Sequence, residues 1–284
     1  MFRKTLLLAY VVVSWSAPAR ETAPAPHVFP GTVGLVLLAS AQDGFAVATD
    51  GASANADGTL SQAQKLFPVG KNGAIAFAGT VSIQDPVNRP VREELNVARI
   101  ASVWLDAHPD ASVDAAGQEI NALVSQAATK YFSSRAPGTA MGRFKFALIF
   151  AGFAGGKPVL SATRYYIPLA KGKPMRAETF SMDAKPGTMW IFGQAHVEQE
   201  LINGKSNALK SFKAEPSTRK FRSSLVKNLS AQDYVNIFDT VLRASESPEG
   251  KKLVAGKPAV APPNKLATIT SKDGFVRSKG QESH

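Results

Sequence analysis

The sequence predicts a single α+β domain with two β-sheets between helical layers, and three observations carry that expectation. A chain of 284 residues that is 44% hydrophobic and 19% charged can bury a sizeable core. Asp43-Gly44, Asn72-Gly73 and Asp273-Gly274 each separate short apolar runs, which is a hairpin signal. The elements also run strands, two helices, strands, a helix and strands, an order that packs economically as two sheets covered by helices.

The first strands are Val33–Ala39 and Phe45–Thr49, joined at Gln42-Asp43-Gly44, and Asp50 stands where the second one ends. A stretch of small residues, Gly51–Gly58, precedes a second hairpin of Leu66–Val69 and Ala74–Ala78. Pro90 suits the first turn of a helix through Leu95, Ala98, Ala101 and Leu105. Val113, Ala116, Ile120, Leu123 and Ala127 recur every three or four residues and predict another. Strands resume at Phe144–Phe153 and Val159–Ile167 around Gly155-Gly156-Lys157-Pro158, and again at Met189–Phe192. After a polar segment, Ser230 and Asp233 form an S-x-x-D cap ahead of a helix carrying Tyr234, Ile237, Phe238, Val241 and Leu242. Pro248–Pro263 reads as a loop, and Leu266–Thr270 with Phe275–Val276 closes the chain as a hairpin.

The N-terminus reads as an address. Arg3 and Lys4 precede an apolar run from Thr5 to Trp15, and Ala17-Pro18-Ala19 offers the small residues that signal peptidase reads. The run is shorter than the roughly 20 residues a spanning helix needs. Residues 1–19 are therefore expected to be a removable signal peptide, with an alternative end at 25 after Ala23-Pro24-Ala25. The mature protein is expected to be exported, periplasmic or extracellular, with no membrane span. Residues 20–31 are expected to be a propeptide or N-terminal extension, 32–277 one domain and 278–284 a flexible tail.

Composition removes several classes of function. With no cysteine, thiol catalysis, thiolate metal sites and disulfides are excluded. The four histidines, His27, His108, His196 and His284, share no ligand spacing, so neither metal nor cofactor is expected. The formal net charge is +11, but Lys205, Lys210, Lys213, Arg219, Lys220, Arg222 and Lys227 are dispersed and lack interleaved aromatics. They read as solvated surface, and no nucleic-acid partner is expected. Gln199 stands where a phosphate loop before Gly204-Lys205-Ser206 needs its first glycine, and neither G-x-S-x-G nor G-x-G-x-x-G occurs.

One constellation remains: Gly31-Thr32, Asp43-Gly44 through Asp50-Gly51, Lys65-Leu66, and Ala76-Phe77-Ala78-Gly79. It resembles the proteasome β-subunit family and its bacterial relatives, N-terminal nucleophile hydrolases with a four-layer αββα sandwich. The separations Gly44 to Asp50 and Lys65 to Gly79 match that family. Thr32 to Gly44 is two residues longer, which preserves strand parity. Asn264–Phe275 resembles the family's closing strand and turn.

The resemblance implies a site. Thr32, freed by cleavage of Gly31-Thr32, would be the nucleophile, and its own α-amine, with an ordinary pKa of about 8, would take the hydroxyl proton. Lys65 would place positive charge beside it, Asp50 would orient Lys65, and the Gly79 N–H would donate to the oxyanion. Ala52, Ser53 and Ala54 would pair with a peptide substrate, and Phe77 and Val81 would shape its pocket. The implied activity is hydrolysis of a peptide or other amide by a homo-oligomer. The alternative is a catalytically inactive binding or scaffold protein of the same fold in the cell envelope. Two departures stand out: Gly193-Gln194-Ala195 replaces the family's Gly-Ser-Gly loop, and Glu246–Lys252 offers no clear match for its later Asp and Ser.

Overall fold

The computed structural model describes residues 27–29, 34–54, 60–84, 94–133, 145–166, 176–193, 195–254, 260 and 262–278. The signal-peptide expectation lies outside these residues, as does the expected tail except for Ser278. Six strands form one sheet in the order β1 (His27–Phe29), β13 (Met189–Gly193), β2 (Leu35–Ala41), β3 (Gly44–Thr49), β14 (Lys265–Thr270) and β15 (Gly274–Ser278). Neighbours are antiparallel except β1, which runs parallel to β13. Five strands form a second, antiparallel sheet in the order β12 (Arg176–Ser181), β11 (Lys157–Tyr166), β10 (Lys145–Ala154), β7 (Gly73–Gly79) and β6 (Leu66–Val69). Two small ladders pair β4 (Ala52–Ala54) with β5 (Leu60–Gln62), and β8 (Ser82–Gln84) with β9 (Glu94–Asn96). The helices are α1 (Val97–Ala107), α2 (Val113–Ser133), α3 (His196–Asn203), α4 (Lys210–Lys213), α5 (Pro216–Ser223), α6 (Ala231–Glu246) and α7 (Pro248–Leu253), which makes a mixed α+β fold.

Strand alternation explains the packing. Every residue of β2 is buried. Leu35, Leu37 and Ala39 pack with Tyr234, Phe238 and Val241 of α6, while the intervening Val36 and Leu38 meet Ala76, Ala78, Ala147 and Ile149 of the second sheet. On the far face of that sheet, Ile75, Phe77, Leu148 and Phe150 pack with Ile120 and Val124 of α2. Helix α6 starts where expected, because Ser230 and Asp233 complete a reciprocal capping box. The Asp43 of the first hairpin adds a long-range cap: its Oδ1 accepts from the Ala231 N–H at 2.7 Å, tying the β2–β3 turn to α6.

Several expectations needed correction. Leu95 lies in β9 opposite Ile83, not in a helix, and α1 starts after Asn96, whose side chain accepts from the Arg99 N–H. The polar segment before Ser230 contains α3, α4 and α5. The loop assigned to Pro248–Pro263 opens with α7, because Pro248 sits in its first turn and Ser247 Oγ accepts from the Gly250 N–H at 3.1 Å. Among the described residues no helix is long and apolar enough to cross a membrane.

Candidate functional site

The β2–β3 hairpin and the strand entering the second sheet bring two charged side chains together. Asp50 follows the last residue of β3, and Lys65 immediately precedes β6. Lys65 Nζ donates to Asp50 Oδ1 at 2.9 Å, and both side chains are 0% exposed. The same Oδ1 accepts from the Leu35 N–H at 2.9 Å, while the Asp50 N–H donates to the Leu35 carbonyl at 3.1 Å, so Asp50 is locked to the start of β2. Burial lowers the proton affinity of the Lys65 amine, and the charge and hydrogen bond of Asp50 work against that shift.

Glycines let the backbone close over the pair. Gly34 has φ +83°, and a Cβ there would lie 2.4 Å from Lys65 Nζ and 2.7 Å from Asp50 Oδ1. Gly193, at φ +116°, would push a Cβ to within 2.0 Å of the Gly34 carbonyl oxygen. A larger residue at either position would strain the backbone and force these neighbours to shift.

The structure places the implied residues differently. Asp50 and Lys65 meet directly. Gly79 ends β7 with φ +90° and pairs with Phe146, two residues beyond Phe77, whose N–H donates to the Lys65 carbonyl at 2.9 Å. Ala52, Ser53 and Ala54 form β4 and pair with β5. Thr32, with Gly31, lies outside the described residues. Phe77 and Val81 are buried in the cluster beneath α1 and α2, with Phe77 on the face of β7 opposite Ala76 and Ala78. Phe77 is 0% exposed and Val81 1% exposed.

Three buried or half-buried polar residues that the sequence did not single out stand out by their surroundings, and one of them feels the charge of Asp50. Glu246, at the end of α6, accepts from Asn264 Nδ2 at 2.8 Å, and its carboxyl pKa is raised by burial and by the charge of Asp50. Asn264 Oδ1 is buried without a hydrogen-bond partner among the described residues. Glu198, in the first turn of α3, is 1% exposed, and neither carboxylate oxygen has a partner there either. Burial pushes its carboxyl up to about 8. Among the described residues no group of three His, Cys, Asp or Glu could hold a metal.

No family model matches the chain, and no curated protein does. Solved structures do resemble it. The Anbu complex from Pseudomonas aeruginosa, described as a helical assembly, matches with a TM-score of 0.51 and 10% identity over 88% of each chain. Anbu, the ancestral β-subunit, from Yersinia bercovieri matches with a TM-score of 0.48 and 12% identity over 87% of this chain and 88% of its own. The first likeness shows a shared fold and nothing finer. It also corrects the family resemblance read from the motifs: without a family match, and with an Anbu protein as a neighbour in fold at 10% identity, the chain is not assigned to the proteasome β-subunit-like hydrolases.

Proposed function

We propose that the chain is a threonine-type amide hydrolase that cuts its own Gly31-Thr32 bond and then acts on a peptide or other amide. The observation that carries this reading is the fully buried Asp50–Lys65 pair, closed over by Gly34, two residues after Thr32 in the chain. In this reading the two sheets and their covering helices form a four-layer αββα sandwich. Thr32 Oγ attacks the amide carbonyl while its proton passes to the Thr32 α-amine. The Gly79 N–H donates to the resulting oxyanion. Collapse breaks the C–N bond, the amine leaves with that proton, and water hydrolyses the Thr32 ester, restoring the hydroxyl and releasing the acid. Lys65 favours the alkoxide by its charge, and Asp50 holds the lysine in place. Ala52, Ser53 and Ala54 remain the residues proposed to border the substrate. The same reading includes export of the protein, removal of residues 1–19 or 1–25, and a homo-oligomer.

A second reading has one observation in its favour. His27–Phe29, just ahead of the junction, pair with β13 as part of the sheet, an arrangement suited to an uncut chain acting as a binding or scaffold protein in the cell envelope. Intact mass and N-terminal sequencing of the exported protein and its Thr32→Ala variant decide between the two. A mature chain starting at Thr32 in the wild type alone supports the hydrolase. A start at Arg20 or Pro26 in both leaves the threonine amine blocked and supports the binder.

A further inference from the structure

Helix α1 is apolar on two sides. Val97, Ala101 and Leu105 are buried in the core, the half-buried Ile100 and Trp104 pack against its edge, and Val103 turns outward. Ile100, Val103 and Trp104 line a groove with Leu123, Ala127 and Tyr131 of α2. Val103 is 61% exposed, and Leu123 is exposed as well, so the groove carries two uncovered apolar side chains. The Trp104 ring is held against His108 with centroids 4.3 Å apart, which gives the groove one flat aromatic wall. Arg99 and Asp106 flank Val103 on the outward side, one turn before it and one turn after it.

We propose that this face of α1 is a two-fold interface with a second copy of the chain, in which α1 packs antiparallel to its mate around Val103. The charges select that occupant. With a rise of about 1.5 Å per residue, Arg99 lies about 6 Å to one side of Val103 along the axis and Asp106 about 4.5 Å to the other. A two-fold axis near Val103 therefore brings Arg99 of each copy level with Asp106 of the other. Two opposite-charge contacts frame an apolar centre, the self-complementary pattern that an isologous dimer requires. The inference deepens the expectation of a homo-oligomer by naming its face, and it is independent of hydrolysis.

Analytical ultracentrifugation of the mature protein, as purified from cells, tests the inference through a charge swap. The wild type is expected to dimerise at micromolar concentration. Arg99→Asp and Asp106→Arg, each alone, put like charges in contact twice per dimer and should raise the dissociation constant about tenfold or more. Combining them should restore it to within about threefold of wild type. Neither change harms the helix, because an acid in the first turn and a base in the last suit its dipole. Val103→Asp should abolish the dimer, with circular dichroism confirming an intact fold. A wild type that stays monomeric overturns the proposal and leaves the groove to a different occupant. A dimer indifferent to Val103→Asp and to both reversals places self-association elsewhere and overturns this interface while leaving the homo-oligomer standing. Single reversals that weaken the dimer without rescue by the double variant overturn the two-fold pairing.

Discussion

Replacing Lys65 with methionine removes one charge from the centre of the protein while keeping nearly the same side-chain length. In the wild type the ammonium and the Asp50 carboxylate meet at 2.9 Å with no solvent access to either. Removing one member of such a pair leaves a buried charge without its counterion, which costs about 3–5 kcal/mol. For a chain of this size that corresponds to a melting-temperature drop of roughly 6–20 °C. Asp50→Asn in the same background removes the stranded charge and keeps an oxygen for the Leu35 N–H, so the double variant should regain more than half of the loss. Urea unfolding at pH 7, followed by the fluorescence of the buried Trp190, measures all three differences. A Lys65→Met variant within about 1 kcal/mol of wild type would refute the reasoning, because a buried pair this close cannot lose one partner so cheaply. The double variant also separates support from chemistry. If the proposed mechanism holds, it should be stable yet inactive toward amide substrates; unchanged turnover removes Lys65 from the mechanism.

Three further outcomes follow from the same geometry. Gly34→Ala must place a side chain at φ +83° with its Cβ 2.4 Å from Lys65 Nζ; the backbone term alone costs about 1–2 kcal/mol, and the displaced pair should raise the total loss in urea titrations above that. Glu198→Gln should change stability in a pH-dependent way. Because the folded carboxyl is raised from 4.5 to about 8, the stability tied to its neutral form is intact below pH 4.5 and is lost as the pH climbs through 8. The glutamine variant should match wild type near pH 4.5 and exceed it by up to about 5 kcal/mol at pH 9, and parallel pH curves for the two proteins would contradict the buried, unpartnered carboxyl. Ser230→Ala removes one half of the α6 capping box and should cost about 1 kcal/mol in thermal melts, with no change expected at the Asp50–Lys65 pair.

Much of the fold was legible because its signals are local. The Asp-Gly and Asn-Gly turns located three hairpins, and short apolar runs located the strands they join. The Ser230–Asp233 cap located α6. What escaped notice lacked such signals. Helix α5 buries only Thr218 and Phe221, so its eight residues read as polar. The edge strand β12 shows no apolar alternation, and Pro248 looked like a breaker although it starts α7. At the site, Asp50 and Lys65 were legible through their spacing, and the structure brings them into contact. Strand parity was legible too: Phe77 lies on one face of β7, and Ala76 and Ala78 occupy the other. Glu246 and Asn264 were not legible as neighbours of Asp50, because only the return of α6 and β14 to the first sheet brings them close.

A pair needed only for support would be a poor solution to a packing problem. Two buried charges each lose several kcal/mol of hydration, and apolar residues of similar volume commonly serve as well or better. The backbone around this pair is committed further. Gly34 and Gly193 hold left-handed conformations that a larger residue would strain, and both bring main chain into contact distance, one over the lysine amine and the other over Gly34 itself. Gly51 is pressed against Pro263, where a Cβ would fall 2.7 Å from the proline nitrogen. Close approach of this kind fixes the position of a charge far more tightly than burial alone demands. Positional control of a lysine amine with lowered proton affinity matters where a proton or a developing negative charge must be met at one defined point. The chain enters this arrangement through Gly34, two residues after the threonine proposed as the nucleophile.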